Sequence, residues 1–235
     1  MPLKTVPCKH GTLTVYDNDY WIGGSLVQTG AYSEPEVQKL LSLVGAESVV
    51  IEVGANIGAI SVPLAKKVAL LVCFEPQPKI CEVLAKNLAR NVPEGRAVYN
   101  QMAVGAKRGK VSLSPLDVDE PGINLGAAHI NRFSDQGEQV EQTTLDEFCP
   151  QWHRVDLIKM DVEGMEFEAL AGAANSIQAH RPVMLIEALK VDGAKLRAWL
   201  ESLNYTVLQS GINLLAIHNE DECLKHVKIE EQETA

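Results

Sequence analysis

The residues with the most chemistry in them are acids at the ends of apolar runs. Glu52 closes Val49-Val50-Ile51 and leads into Val53-Gly54-Ala55-Asn56-Ile57-Gly58. Glu75 closes Ala69-Leu70-Leu71-Val72-Cys73-Phe74 and precedes Pro76. Asp161 and Glu163 follow Val155-Asp156-Leu157-Ile158-Lys159-Met160, and Glu187 ends Pro182-Val183-Met184-Leu185-Ile186. A carboxylate accepts hydrogen bonds from hydroxyls, pairs with a cation, takes up a proton or ligates a hard metal ion. The paired glycines allow a small molecule to lie against bare backbone at the carboxyl end of a strand. An ordinary strand–turn–helix junction asks for the same glycines, so the turn alone does not decide.

The acids narrow the choice. Glu75 lies 21 residues beyond Gly54. That is the place for an acid that accepts both hydroxyls of a ribose at the end of the second strand of a βαβ unit. The first block does not fit GxGxxG, because Glu52 stands where the first glycine should be. A carboxylate there repels a pyrophosphate and favours a cation or a hydroxyl donor. This argues against a dinucleotide and for S-adenosylmethionine, which has a ribose, an ammonium and a sulfonium but no phosphate. Side chains alternate along a strand, so Leu157, Lys159, Asp161 and Glu163 share one face while extension lasts. Lys159 inside an apolar strand needs a partner, and Asp161 is the nearest; it either pairs there or steadies an oxyanion. Asp161, Glu163 and Glu187 are the candidate bases, with His129 as an outsider. Asp161 and Glu187 on neighbouring strand ends also offer the oxygen donors that Mg²⁺ prefers, so Mg²⁺ is possible but not favoured.

The elements that must position these groups alternate strand with helix. Strands are expected at 49–53, 69–74, 96–104, 155–160 and 182–187. Helices are expected from about 59, over 78–91, from 164 to Arg181 and over 192–202, each with apolar residues at helical spacing. Tyr205-Thr206-Val207-Leu208 and Asn213-Leu214-Leu215-Ala216-Ile217 read as two last strands joined by a hairpin-like turn. Shorter strands are expected at 109–113 and 139–143, and Thr144 is expected to cap a short helix with Glu147 in the capping-box position. Residues 1–44 read as a cover over a domain of residues 45–218, with His10–Tyr16 as an edge strand. Ser33 reads as the N-cap of a helix over 35–44. Tyr20, Trp21 and Tyr32 either wall a cleft or simply pack. Residues 114–137 are the longest irregular stretch, and 219–235 form an acidic tail.

Composition bounds the function. The 235 residues are 46% hydrophobic and 22% charged, which suits one soluble α/β domain. A net charge of −10 does not suit a protein that clamps a phosphate backbone. No nucleic-acid partner is expected. Five cysteines, an odd number without a CxxC pair, speak against a disulfide scaffold or a zinc knuckle. The first residues hold no apolar core of signal-peptide length, and no apolar run reaches membrane-spanning length, so a reducing, cytoplasmic location is the expectation.

Taken in order, Glu52-Val-Gly-Ala-Asn-Ile-Gly58, Phe74-Glu75-Pro76, Ala103-Val104-Gly105, Thr144-Leu145-Asp146, Leu157 through Glu166 and Pro182 through Glu187 resemble the FkbM-type methyltransferases over about residues 30–190. The run with His10-Gly11, Asp19, Gly24-Ser25-Leu26 and Tyr32-Ser33-Glu34 is similar to one branch of that family. Two departures stand out. The family usually has Asp at the position of Glu52, and Ala31 stands where a glutamate is common. The resemblance implies a Rossmann-like class I methyltransferase fold: α/β, a mostly parallel seven-stranded sheet with a last antiparallel strand, and helices on both faces. It implies S-adenosylmethionine as cofactor and methyl transfer to a hydroxyl of a small molecule, sugar or glycoconjugate. By position, Gly54, Asn56 and Gly58 would form the turn beneath the cofactor, with Glu52 near its amino-acid end. Glu75 with Pro76 would hold the ribose, Met102 and Ala103 would flank the adenine, and Asp161 would lie nearest the sulfonium. Tyr32 is added as a cleft wall. Two readings from other classes stay open: a cofactor-binding module without catalysis, and a nucleotide-cofactor oxidoreductase.

Overall fold

A computed structural model describes residues 3–114, 124 and 137–221. The acid-tipped strands β3 (Val49–Val53), β4 (Leu70–Phe74), β9 (Leu157–Met160) and β10 (Val183–Glu187) lie side by side in one sheet. That sheet is completed by β5 (Ala97–Asn100), β11 (Tyr205–Ser210) and β12 (Asn213–His218), in the order β11-β12-β10-β9-β3-β4-β5. The pairs β3–β4, β4–β5, β3–β9 and β9–β10 are parallel, whereas β12 is antiparallel to both neighbours. The expected seven-stranded sheet with its antiparallel strand is therefore present.

Parity along the strands sorts the core into two layers. Val50, Leu71, Leu157, Leu185 and Leu215 face one layer, with α1 (Ile22–Thr29), α2 (Glu34–Leu43), α3 (Ser61–Lys67) and α4 (Pro78–Asn91). Ile51, Val72, Ile158, Met184 and Leu214 face the other. There α5 (Leu145–Phe148), α6 (Glu166–Ala171), α7 (Ala174–His180) and α8 (Gly193–Ser202) pack. Strands buried on both faces read as continuous apolar runs, which is why they were legible. A small sheet of β6 (Ala103–Val104), β7 (Gly109–Leu113) and β8 (Glu138–Thr143) sits apart.

Several expectations need correcting. The strand expected over 96–104 is two strands in two sheets, β5 and β6, and the break at Gln101-Met102 brings Met102 to the cavity described below. The helix expected from 164 to Arg181 is broken into α6 and α7 at Gly172-Ala173. Gly172 packs so closely on the Gly105 carbonyl that a Cβ would overlap it. The Asp146 carboxylate accepts from Asn175 N at 3.1 Å and Ser176 N at 2.8 Å, capping α7 from a distant element. Thr144 makes no side-chain cap. The Glu147 carboxylate instead accepts from Thr143 Oγ1 at 2.8 Å. Ser33 precedes α2 as expected but adopts φ 45°, makes no side-chain cap and donates to Glu36 at 3.0 Å.

Residues 3–16 form a hairpin, β1 (Leu3–Cys8) with β2 (Gly11–Tyr16), not a lone edge strand. Two amides of α4 hold β2. Asn87 accepts from Thr14 N at 2.6 Å and donates to the carbonyls of Thr14 and Ile57, at 2.9 and 2.8 Å. Asn91 makes the same paired contact with Thr12. α1 was not expected, and its adjacent glycines Gly23 and Gly24 are poor helix formers. Its start is fixed by buried Asp19, whose carboxylate accepts from Gly23 N at 2.7 Å and Trp21 N at 3.2 Å. Apart from Ser114, Asn124 and Gly137, the irregular stretch 114–137 lies outside the described residues, as does the tail beyond Asp221. Among the described residues no helix is long and apolar enough to cross a membrane.

Candidate functional site

The carboxyl ends of β3, β4, β9 and β10 open into a cavity of about 400 Å³. Its walls include Glu52, Gly54 and Asn56 after β3, Glu75 and Pro76 after β4, and Met102 and Ala103 before β6. Lys159, Asp161 and Glu163 come from β9 and the turn beyond it, Glu187 from the tip of β10, and Tyr32 from the segment before α2. Of the described residues singled out from sequence, Gly58 and Tyr20 do not line it, whereas Trp21 does, and Tyr20 lies exposed. A φ of 86° and a Leu84 Cδ1 atom 2.8 Å from where a Cβ would sit make Gly58 a packing glycine behind the turn. His129 lies outside the described residues.

The turn after β3 is built for close approach. Gly54 has φ 83°, and a Cβ there would overlap the carbonyl oxygen of Asp161. The backbone of β3 and the exit of β9 can meet only at a glycine. Asn56 also sits in the left-handed region, at φ 49°. Its amide donates to Glu75 Oε2 at 2.9 Å, and Gln77 N donates to Oε1 at 3.0 Å. Each carboxylate oxygen takes two hydrogen bonds, so Glu75 keeps acceptor capacity toward the cavity. Burial pushes its pKa up to about 7 against those two backbone donors.

Strand register sets the next layer. Cys73 lies opposite Glu52, Glu52 opposite Lys159, and Lys159 opposite Leu185, all on one face of the sheet. Glu52 is 1% exposed and accepts from Ser61 Oγ at 2.6 Å. Burial raises its pKa to about 7, with Lys159 and Ser61 opposing the rise. Lys159 is 4% exposed and reaches Asp161 Oδ2 at 3.3 Å, the partner that its alternation with Asp161 predicts. Burial works against its charge, but Asp161, Glu36 and Glu52 carry its pKa above the ordinary lysine value. Tyr32 is pushed up to about 12 by burial, with Lys159 pulling the other way.

At the rim, burial raises Glu187 to about 7, helped by the nearby charges of Asp161 and Glu163. A second negative charge beside Asp161 is disfavoured, so Glu187 keeps its proton to higher pH than a free carboxyl. Glu163 sits at φ 58° and forms an ion pair with Lys190. Glu166, at the first position of α6, accepts from Val162 N and Gly164 N at 3.2 Å each and so fastens the turn that carries Glu163. Asp161 and Glu187 would offer metal-preferred oxygens, yet among the described residues no group of three or more His, Cys, Asp or Glu is arranged to hold a metal ion.

Sequence reasoning missed Glu36, Lys190 and Asn213, which also line the cavity. Glu36 reads locally as a first-turn helix acid, and only the packing of α2 brings it toward Lys159. Counting it, six carboxyls (Glu36, Glu52, Glu75, Asp161, Glu163 and Glu187) face two ammoniums, Lys159 and Lys190, among the described lining residues. The cavity therefore suits a cationic, hydroxyl-bearing ligand over a phosphate-bearing one.

Residues 52–207 match the family described as the Methyltransferase FkbM domain. Over 153 residues the chain is 27% identical to the 2-O-methyltransferase NoeI of Sinorhizobium fredii (strain NBRC 101917 / NGR234), covering 57% of this chain and 61% of that one. The crystal structure of Methyltransferase FkbM from Methylobacillus flagellatus KT superposes with a TM-score of 0.56 at 19% identity, covering 74% of this chain and 44% of that one. The chain thus spans about three-fifths of the curated relative and under half of the solved one. The superposition shows the fold, a Rossmann-like class I methyltransferase sheet, and the match over residues 52–207 shows that this chain belongs to the FkbM methyltransferase family.

Proposed function

We propose that this chain is an S-adenosylmethionine-dependent O-methyltransferase acting on a hydroxyl of a small molecule, sugar or glycoconjugate. The observation that carries the reading is Glu187 at the cavity rim with Asp161 and Glu163, a carboxyl whose pKa is raised to about 7 by burial and by those two charges. A hydroxyl loses its proton when it is methylated, so its catalyst needs a base poised near neutrality. An amine that arrives neutral has a lone pair to attack with and needs no such help.

The cavity's chemistry fits the proposed donor. A volume of about 400 Å³ is in the range of cofactor pockets. Glu75, held by two backbone N–H groups, would accept the ribose hydroxyls. Glu52 and Glu36 would face the amino-acid end, Met102 and Ala103 the adenine, and Gly54 and Asn56 would form the floor. When bound, S-adenosylmethionine supplies a methyl group already activated by the positive sulfur. The protein's part is then alignment and proton removal. Glu187 in its ionised form receives the acceptor's proton, and Lys159 holds Asp161 through their ion pair. The name of the Sinorhizobium relative, a 2-O-methyltransferase, supports oxygen as the atom methylated.

The test is a methyl-transfer screen over sugars, glycosides and aliphatic alcohols, with S-adenosylhomocysteine release and product mass as readouts. The expected product carries one O-methyl group. Asp161→Asn is expected to abolish turnover while keeping its near-ultraviolet circular dichroism. Products methylated on nitrogen or carbon, or a wild-type rate in that variant, refute the reading.

A further inference from the structure

The acceptor must present its hydroxyl at Glu187, and the surroundings of Glu187 describe the rest of that molecule. Asn213 is the register partner of Glu187 across the β10–β12 pair, so the two side chains lie on one face. It is 7% exposed and lines the cavity. An amide both donates and accepts, as hydroxyls and ether oxygens do.

Beside it, Leu189 and Ile212 are 64% and 52% exposed and line the same cavity. They also form one end of a groove of about 520 Å³ that runs between α8 and the β11–β12 hairpin. The groove's polar side chains are already engaged. Arg197 donates to the Val207 carbonyl and pairs with Glu201, and Gln209 donates to the carbonyls of Gly211 and Asn213. The apolar part of its lining comes from Leu189, Ile212, Ala194 and Ala198, with Arg197, Glu201 and Gln209 as the polar part.

Resting on the methyl-transfer reading, we propose that Asn213, Leu189 and Ile212 form the acceptor subsite and select an amphiphilic acceptor. Asn213 holds an oxygen next to the reacting hydroxyl, and the groove takes an apolar body attached to that hydroxylated part. The substrate class is a polyol or glycoside on an apolar aglycone, not a free sugar.

The experiment titrates the full chain, with and without S-adenosylhomocysteine, with methyl and octyl β-D-glucoside below the micelle-forming concentration. Octyl glucoside is expected to bind at least ten-fold more tightly, which needs only about two buried methylene groups. The Leu189→Ser/Ile212→Ser variant, changed at two exposed positions, is expected to bring the two ligands within about two-fold of each other. Asn213→Ala is expected to weaken both ligands by the same factor and so keep their ratio. No measurable binding of octyl glucoside, a ratio below ten-fold in the wild type, or a ten-fold ratio surviving the double substitution overturns the proposal. Whether S-adenosylhomocysteine alone raises the melting temperature reads the donor site separately. A failed donor reading and a failed subsite therefore give different results.

Discussion

Glu52→Gln is the most informative single change, because it should make the ligand-free protein more stable and its site worse. Glu52 is 1% exposed, and burial lifts its pKa from 4.5 to about 7 despite Lys159 and Ser61. A carboxyl whose pKa is higher in the folded state favours folding when it carries its proton. It adds no penalty below about pH 4.5, costs progressively more as pH rises toward 7, and costs a constant amount above that. The gap corresponds to roughly 3 kcal/mol at pH 8. Glutamine keeps the shape and an acceptor for Ser61 Oγ but never ionises. The variant should match the wild type at pH 4 and exceed it by about 3 kcal/mol at pH 8. In urea that is a midpoint shift of about 1 M or more at ordinary m-values. Glu75 and Glu187 titrate in the same window, but they are common to both proteins and cancel in the difference. Binding of S-adenosylhomocysteine should weaken in the same variant, because the cationic end of the ligand loses a carboxylate. A variant less stable than wild type at pH 8 would refute the reasoning, since it would make Glu52 a stabilising partner of Lys159 and not a carboxylate held at a cost.

Three further outcomes are expected. Gly54→Ala forces φ 83° on a residue with a Cβ that overlaps the Asp161 carbonyl, so β9's exit must move; turnover should fall about 10²-fold or more, and a rate within two-fold of wild type would contradict this. Glu75→Gln replaces one carboxylate oxygen with a donor NH₂, so S-adenosylhomocysteine should bind about ten- to a hundred-fold more weakly by calorimetry, with kcat at saturation little changed. Because burial, Asp161 and Glu163 hold Glu187 at about 7, kcat/KM should drop ten-fold per pH unit below that value; Glu187→Gln should lose the limb together with most of the rate, and an unchanged limb would assign it to another group.

The legible part of this molecule is the part where function and local geometry need the same residues. The runs 49–53, 155–160 and 182–187 are apolar because both faces of their strands are covered, and each ends in an acid at the same edge of the sheet. The pairing of Lys159 with Asp161 follows from alternation alone. What could not be read came from contacts between distant segments. Asp146 breaks the helix after Gly164 by capping α7 from 30 residues away. Asp19 starts α1 by accepting from Trp21 N and Gly23 N, ahead of a glycine pair with little helical signal of its own. Glu36 and Asn213 carry no local signal, because one reaches the cavity through the packing of α2 and the other through its register opposite Glu187.

That division also separates structural acids from functional ones. Asp146 and Asp19 each satisfy two or more backbone N–H groups away from the cavity, and Glu166 does the same beneath its rim. Their positions follow from the orphan donors at helix starts. Glu52 satisfies one hydroxyl and meets one lysine, yet it is fully buried with a raised pKa. Glu187 is partly buried beside the charges of Asp161 and Glu163, an arrangement that disfavours its ionised form. Nothing in the packing of β3 or β10 calls for an acid at either tip, and an apolar residue would be cheaper at both. An acid held where folding gains nothing from its charge is accounted for by a ligand that does gain. On the proposed methyl-transfer reading, that ligand is a cation for Glu52 and a hydroxyl about to lose its proton for Glu187.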